Sequence, residues 1–213
     1  MHLRHLVTCV SLLAASACGG GGGNGTVTPP VNNPAQTLST LRLGTATASL
    51  AAGNTTSLGA AALDARGVVI TGATGYVYTS SNPAVAEASP TGVVLGVGAG
   101  TATVTVSLTR DGVTATATST ITVSGSLPVS ASVSAGATDN TFTPPTLVVA
   151  RAATVTFAFG ALQHNVTFRS TTGAPANIAS STNTSVARAF PATGDFPYDC
   201  TLHAGMTGMV MVR

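Results

Sequence analysis

The middle of this chain alternates polar and apolar residues with a period of two. In TATVTVSL (101–108) and TATATSTITV (114–123), Thr or Ser occupies every second position, and mostly Ala, Val, Ile or Leu lies between. Successive side chains of a β-strand point to opposite faces, whereas an α-helix needs apolar residues about every 3.6 positions. The pattern therefore predicts strands that bury one face and expose the other.

Turn sequences divide the first half of the chain into pieces of strand length. They are DARG (64–67), SSNPA (80–84), SPTG (89–92) and RDG (110–112). Short strands at this spacing are typical of a β-sandwich. A linker, SGSLPVSAS (124–132), precedes a second series of candidate strands, TLVVA (146–150), ATVTFAF (153–159), HNVTF (164–168), SVARAF (185–190) and GMVMV (208–212). We therefore predict an all-β protein with two β-sandwich domains, at residues 38–124 and 125–213.

The residues before the first predicted domain have the composition of targeting and linker segments. Arg4 precedes an apolar run, Leu6–Leu13, which is too short to span a membrane comfortably. Residues 1–17 are therefore predicted to be a signal peptide. Residues 18–37 contain GGGGGNG followed by a Pro-containing stretch, which is typical of a flexible tether.

The end of the predicted signal peptide, ASAC (15–18), resembles a bacterial lipobox in which Cys18 accepts a lipid. The same Ala-Ser-Ala also fits an ordinary A-x-A cleavage site. Both interpretations cut the chain before Cys18 and differ only in whether that residue is acylated. We favour the lipoprotein, because an ordinary secreted protein has no need of a Cys there. The expected location is the cell envelope, on the periplasmic or cell-surface side of the (outer) membrane, with a lipid anchor.

Few reactive side chains remain after the signal peptide. Charged residues make up 7% of the chain and the net charge is +2, so nucleic acid is not an expected partner. The mature chain keeps two His, His164 and His203, and one Cys besides Cys18, namely Cys200. Cys200 then lacks a disulfide partner, although the expected compartment is oxidising. An unpaired thiol there is a liability unless something occupies it.

Three potential metal ligands lie close together in CTLHAGM (200–206), and they are Cys200, His203 and Met206. A fourth, His164, begins a candidate strand. Thiolate, imidazole and thioether donors suit copper, because Cu(I) prefers sulfur and Cu(II) prefers nitrogen. Zinc is the alternative metal, although structural zinc sites favour Cys pairs and Met is a poor zinc ligand. Each residue alone is compatible with core packing, so the prediction rests on their combination.

Two stretches of the first predicted domain, YTSSNPAVAEASPTGVVLGVGAGTATVTV (78–106) and TSTITV (118–123), resemble the bacterial immunoglobulin-like domain, group 2. That family usually has Trp where Tyr78 stands. The resemblance implies a spacer or adhesive module without a catalytic site.

Four stretches of the second predicted domain match another family in order, and they are FTPPTLVV (142–149), HNV (164–166), FPATGDFPYDC (190–200) and HAGMTGMVMV (203–212). They resemble the opening strand, first-ligand motif and ligand loop of the cupredoxins, the blue-copper proteins. The resemblance implies a Greek-key sandwich that binds one mononuclear type-1 copper ion. Its ligands would be His164, Cys200, His203 and Met206.

Residues beside these ligands are expected to orient and tune the site. The resemblance implies that Asn165 hydrogen-bonds across to the ligand loop, beside the Cys, where Thr201 lies. The residue two positions after the Cys is commonly Pro in related loops, whereas Leu202 keeps its N–H. We expect this N–H, together with the Asn165 amide, to donate to the Cys200 sulfur and favour the reduced state. Leu202→Pro would then lower the reduction potential.

The function implied by these features is the transfer of single electrons by a membrane-anchored blue-copper protein between a donor and an acceptor redox protein. The alternatives are a copper-binding or copper-delivery lipoprotein, or an adhesive surface lipoprotein with a structural copper site. We do not expect an enzyme, because copper enzymes that use such domains add a second, His-rich copper. No His remains in the mature chain to build one.

Overall fold

The computed structural model describes residues 36–213, so the predicted signal peptide, the tether and Cys18 lie outside the described residues. Nine strands form a first lobe: β1 Thr40–Leu43, β2 Thr47–Ala51, β3 Thr55–Ser57, β4 Ala60–Leu63, β5 Val77–Ser80, β6 Ala86–Ala88, β7 Val93–Gly96, β8 Gly98–Arg110 and β9 Val113–Ser126. Nine more form a second lobe: β10 Ser130–Ala135, β11 Phe142–Thr143, β12 Thr146–Val149, β13 Ala153–Phe159, β14 His164–Phe168, β15 Ile178–Ser181, β16 Thr184–Phe190, β17 Gly194–Asp199 and β18 Thr207–Val212.

All regular structure within residues 36–213 is β, which confirms the predicted fold class. Across this range, no helix is long and apolar enough to cross a membrane. The exact domain boundaries at residues 38, 124 and 125 stay a prediction.

The first lobe encloses one apolar core. A four-stranded sheet, in the order β2-β9-β8-β5, packs with a three-stranded sheet, β3-β7-β6, and with the β1-β4 pair. The alternation in β8 agrees with the sequence prediction: Ala102, Val104, Val106 and Leu108 are buried, while the Thr and Ser residues between them are exposed or partly exposed. β-branched residues thus occupy both faces of the strand, with Val on the buried face and Thr on the more exposed face.

The second lobe has its own core between two sheets. One sheet has the order β11-β10-β13-β16 and the other β12-β18-β17-β14-β15. Edge-to-face aromatic contacts fill the centre: the Tyr198 ring lies 4.9 Å from Phe142, 5.4 Å from Phe157 and 5.7 Å from Phe168, between ring centroids. Such contacts add to the free energy gained by burying the rings. They hold β17 firmly against the opposite sheet, just before Cys200.

Strand directions fix which end of the second lobe carries the predicted ligands. β10 follows the first lobe directly, and β13 runs parallel beside it, so both strands run away from the first lobe. β14 starts after the short turn at the far end of β13. β14, β17 and β18 then pair antiparallel in succession, so β17 ends and β18 begins at this same end. The predicted ligands, His164, Cys200, His203 and Met206, therefore all lie at the end that faces away from the first lobe.

Strand directions also show at which end of the first lobe the described chain begins. β2 runs parallel to β9 and reaches the junction with it, where Ala51 pairs with Ser124. β3 starts close to this junction, since the Gly53 amide donates to the Gly96 carbonyl 2.8 Å away, and β4 continues away from it. β1 pairs antiparallel with β4 and therefore starts at the outer end. The described chain thus begins at the end of the first lobe that is remote from the second lobe.

Arg213 joins the lobes. It follows β18 and forms ion pairs with Glu87 on β6 and with Asp195 on β17, the latter at 2.7 Å between Nη1 and Oδ1. A cleft of about 610 Å³ lies beside this cluster and is lined by both lobes. The two carboxylates bind one guanidinium, so the end of β18 is tied to both lobes.

Tyr198→Phe is expected to leave the second lobe as stable as before or to raise its free energy of unfolding by about 1 kcal/mol. The Tyr198 hydroxyl is buried without a protein hydrogen-bond partner, and burial raises the pKa of this phenol, so it stays neutral. Removing an unsatisfied buried hydroxyl removes its desolvation cost while the aromatic contacts stay. Urea denaturation of both proteins measures the effect. A loss of more than about 1 kcal/mol would show that the hydroxyl is satisfied in solution.

Candidate metal centre

The ligand-bearing segments meet because three strand ends converge. His164 is the first residue of β14, Cys200 follows the last residue of β17, and the turn after Cys200 leads into β18. Gly205, at φ 80°, supplies a left-handed conformation that this turn requires and that other residues adopt at a cost. His203 and Met206 flank that part of the turn. The long separation in sequence between His164 and Cys200 is thus closed by strand pairing.

His164, Cys200 and His203 form a compact group of possible ligands. Their donor atoms all lie within 4.8 Å of one another. Cys200 Sγ lies 3.5 Å from His203 Nδ1 and 3.9 Å from His164 Nδ1. The two imidazole rings lie 4.8 Å apart between centroids and are tilted by 58°. The three donors therefore face one common space, as ligands of a single ion would.

The group is enclosed on one side and accessible on the other. His164 is fully buried and Cys200 is 4% exposed, whereas His203 is half-buried. Burial keeps the thiol of Cys200 away from solvent and from other thiols. The ring of His203 is thus the most accessible part of the group.

A backbone carbonyl determines which nitrogen of His164 is available. Nε2 of His164 lies 2.9 Å from the Gly136 carbonyl oxygen. A carbonyl only accepts hydrogen bonds, so Nε2 carries the proton. In the neutral ring Nδ1 then keeps its lone pair, and Nδ1 is the nitrogen that faces Cys200. His164 is therefore held in the tautomer that a metal ligand needs.

Backbone hydrogen bonds place Met206 beside the group. The Cys200 amide donates to the Met206 carbonyl at 3.0 Å, and the Met206 amide donates to the His203 carbonyl at 3.3 Å. The side chain of Met206 is 2% exposed and packs in the core of the second lobe. All four predicted ligands thus lie at one end of this lobe.

Asn165 ties β14 to the ligand turn. Its side-chain Nδ2 donates to Thr201 Oγ1 at 2.7 Å, and the Thr201 amide donates back to Asn165 Oδ1 at 2.8 Å. This reciprocal pair lies next to both His164 and Cys200 in sequence. The structure therefore places Asn165 and Thr201 where the sequence expects them, holding the two ligand segments in fixed register.

The hydrogen bonds expected at the Cys200 sulfur from the amides of Leu202 and Asn165 stay a prediction. The contacts of Sγ within residues 36–213 are the two His rings. Leu202 lies in the turn with a side chain that is 46% exposed, and the Asn165 side chain is engaged by Thr201. The effect of Leu202→Pro on the reduction potential therefore also stays a prediction.

Two features near the group carry no clear signal in the sequence. The Gly136 carbonyl is a backbone acceptor, and any residue type offers one. Arg169 binds Asp199, the residue before Cys200, through two hydrogen bonds of 2.7 and 2.8 Å. These bonds lower the pKa of the Asp199 carboxyl, so the ion pair persists below the usual pKa of Asp and is lost only as the pH falls further. It links the end of β14 to the end of β17.

The donor set fits one mononuclear copper ion of type 1. Two imidazole nitrogens and a thiolate around one point, with a thioether close by, suit both Cu(I) and Cu(II). Zinc fits less well, since the described residues offer one Cys here and Met is a poor zinc ligand. Copper is therefore the metal that these side chains favour.

No protein-family model matches the chain, and no curated protein matches it. Solved structures that are similar to it are cupredoxins for the most part. They include a mutant plastocyanin of fern, with 24% identity over 38% of this chain and 99% of that chain and a TM-score of 0.35. A mutant of amicyanin in its oxidised state has 27% identity over 39% of this chain and 82% of that chain, with a TM-score of 0.36. A Cu-containing nitrite reductase from Thermus scotoductus SA-01 has 22% identity over 43% of this chain and 24% of that chain, with a TM-score of 0.35.

Proposed function

We propose that this protein is a copper-binding electron carrier of the cell envelope. One observation carries the proposal: the donor atoms of His164, Cys200 and His203 lie within 4.8 Å of one another at one end of a rigid β-sandwich. Copper bound there would supply a one-electron couple. The residues around it supply the binding geometry, the exclusion of water and a route to the surface.

Rigidity of the ligand frame favours electron transfer. The Gly136 carbonyl holds the ring of His164, and the Asn165–Thr201 pair fixes the ligand turn to β14. A frame that is already ordered without the metal needs little rearrangement when the charge at its centre changes. Small rearrangement is what a fast carrier requires.

His203 is the proposed route for the electron. It is half-buried, so one edge of its ring approaches the surface while Nδ1 faces Cys200. Leu202, its neighbour in the chain, and Leu162, in the turn before β14, are 46% and 39% exposed. An apolar surface near the ring suits brief docking of a donor or acceptor redox protein, because short-lived complexes need little buried area.

The small number of His residues favours an electron carrier over a copper enzyme. Within residues 36–213, His164 and His203 are the two His, and both belong to the site already described. A second, His-rich copper site therefore has no imidazole to use. Copper delivery is the second candidate, and it is favoured only if the site releases copper readily. An adhesive protein whose copper is structural is the third.

Voltammetry of the full-length protein tests the proposal. The Cys18→Ser variant, which is expected to be soluble, is loaded with copper, and its affinities for Cu(I) and Cu(II) are measured alongside the voltammogram. A carrier is expected to show fast reversible exchange and tight binding in both states. Slow exchange with weak Cu(II) binding would overturn the carrier and support delivery. The same protein with Cys200→Ser added controls for adventitious copper and should give no reversible response.

Cys18→Ser is expected to move the protein from the membrane fraction to the soluble periplasmic fraction, because acyl chains on Cys18 would supply the anchor. Fractionation followed by immunoblotting measures the shift. Cys9→Ser is the matched control, since Cys9 lies in the predicted signal peptide and its loss should leave the distribution unchanged. A wild-type protein that is already soluble would contradict the lipid anchor.

A further inference from the structure

A short loop beside the ligand cluster determines the position of the Gly136 carbonyl. Residues 136–141 connect β10 to β11, and the loop closes on itself where the Gly136 amide donates to the Thr141 carbonyl at 2.9 Å. Asp139 lies at its centre. Its Oδ1 accepts from the Thr141 hydroxyl at 2.7 Å and from the Thr141 amide at 3.2 Å. The side chain of Asp139 thus stabilises the turn that starts at Gly136.

Close packing transmits the position of this loop to His164. A Cβ added to Gly136 would overlap the carboxylate and the carbonyl of Asp139, so the two residues are in tight contact. On its other side the loop meets the turn that leads into β14: a Cβ added to Gly160 would lie 2.7 Å from the Cα of Ala137. The loop is therefore held between the Asp139 turn and the turn before His164, with little freedom to move.

We propose that Asp139 is a positioning residue for the metal centre: its turn fixes the Gly136 carbonyl, which holds His164 with Nδ1 directed at Cys200. The proposal rests on the copper site proposed above, and it concerns how one ligand of that site is kept ready. Without the turn, the Gly136 carbonyl moves away from Nε2, and the proton of the His164 ring is free to occupy either nitrogen. A ring protonated on Nδ1 cannot bind a metal through that atom.

Three variants of the full-length chain separate this role from general stability. Asp139→Ala removes both acceptor contacts, whereas Asp139→Asn keeps Oδ1 as an acceptor and removes the charge. Asn82→Ala is the matched control, because Asn82 Oδ1 accepts from the Ala84 amide at 3.2 Å in a comparable turn of the first lobe. If Asp139→Ala fails to fold, Thr141→Val takes its place, since it removes only the bond from the hydroxyl.

The first measurement uses the metal-free protein, with the pH kept the same for every variant. Nitrogen chemical shifts of the ring report its tautomer, and exchange of the Nε2 proton with solvent reports its hydrogen bond. Asp139→Ala is expected to populate the other tautomer and to speed up exchange, and Thr141→Val should do so to a smaller extent. Asp139→Asn and Asn82→Ala should match the wild type. An unchanged tautomer and exchange rate in Asp139→Ala, or in Thr141→Val if it is used instead, would overturn the proposal.

The second measurement is the affinity for Cu(II). Residues that orient a metal ligand typically change affinity by about 10–100-fold, so Asp139→Ala is expected to weaken binding about tenfold, with Asp139→Asn restoring it to within about twofold. If Asp139→Asn binds as poorly as Asp139→Ala, the charge and not the turn is responsible, and the proposal is wrong. A wild-type protein that fails to bind copper would instead contradict the proposed function, while the tautomer measurement still tests the role of Asp139.

Discussion

Cys200→Ser is expected to abolish the intense visible colour of the copper-loaded protein. That colour arises from charge transfer between a thiolate and Cu(II), and Cys200 is the one free cysteine within residues 36–213. Serine has a hydroxyl that stays protonated near neutral pH and is a poor donor to copper. The affinity for Cu(II) should fall by more than about 100-fold, beyond the range seen when only a partner of a ligand is lost. Absorption spectroscopy and copper titration measure both effects.

The fold should survive this change, because serine is smaller than cysteine and Cys200 lies at the end of the core. Circular dichroism should show both lobes folded. Leu202→Ser is the matched control in the same turn: the Leu202 side chain is 46% exposed and offers no metal-binding atom, so the colour should remain. Retained colour in Cys200→Ser would refute the assignment of the thiolate ligand.

Gly208→Ala is expected to destabilise the second lobe by about 3 kcal/mol, at the upper end of the usual cost of overpacking. Gly208 is the partner of Tyr198 in the β17–β18 register, and a Cβ at this position would overlap the Tyr198 ring. The ring cannot move aside easily, because Phe142, Phe157 and Phe168 contact it edge to face. The strain would therefore fall on β18. Urea denaturation of the metal-free protein measures the loss.

Two comparisons isolate the clash from the general effect of replacing a glycine. Gly44→Ala should cost far less, since a Cβ there meets only atoms at 3.6 Å or more and Gly44 has no left-handed conformation to maintain. In a Tyr198→Leu background the cost of Gly208→Ala should shrink, because the smaller side chain leaves room, and the two changes are then non-additive. An equal cost in both backgrounds would show that the Tyr198 ring is not the cause.

Much of the fold is predictable because alternation and turn residues report it directly. The segment TATVTVSL (101–108) lies within β8 with its apolar residues inward, as its period of two indicates. Between HNVTF (164–168) and SVARAF (185–190) we predict a long loop and no strand, and this is wrong, because β15 lies there at Ile178–Ser181. This strand is short and has one buried residue, Ile178, so its apolar pattern is too brief to stand out.

The candidate site is predictable for a different reason. Cys200, His203 and Met206 are rare residue types in this chain and lie on one turn, so their proximity follows from sequence alone. The role of Gly136 could not be predicted, because its contribution is a backbone carbonyl brought to His164 by tertiary packing. The hydrogen bond expected from the Leu202 amide to the Cys200 sulfur stays a prediction for a similar reason. The direction of a backbone amide in a turn depends on local dihedral angles, which residue types constrain only weakly.

β1 starts at the outer end of the first lobe, and the ligand turn lies at the outer end of the second lobe. This separation has a consequence for encounters between proteins. If the N-terminal segment is fastened to a membrane, as proposed above, the first lobe separates the point of attachment from the ligand turn along the chain. The first lobe would then act as a spacer, and its length would add to that of the predicted flexible tether in setting how far from the bilayer electrons can be exchanged.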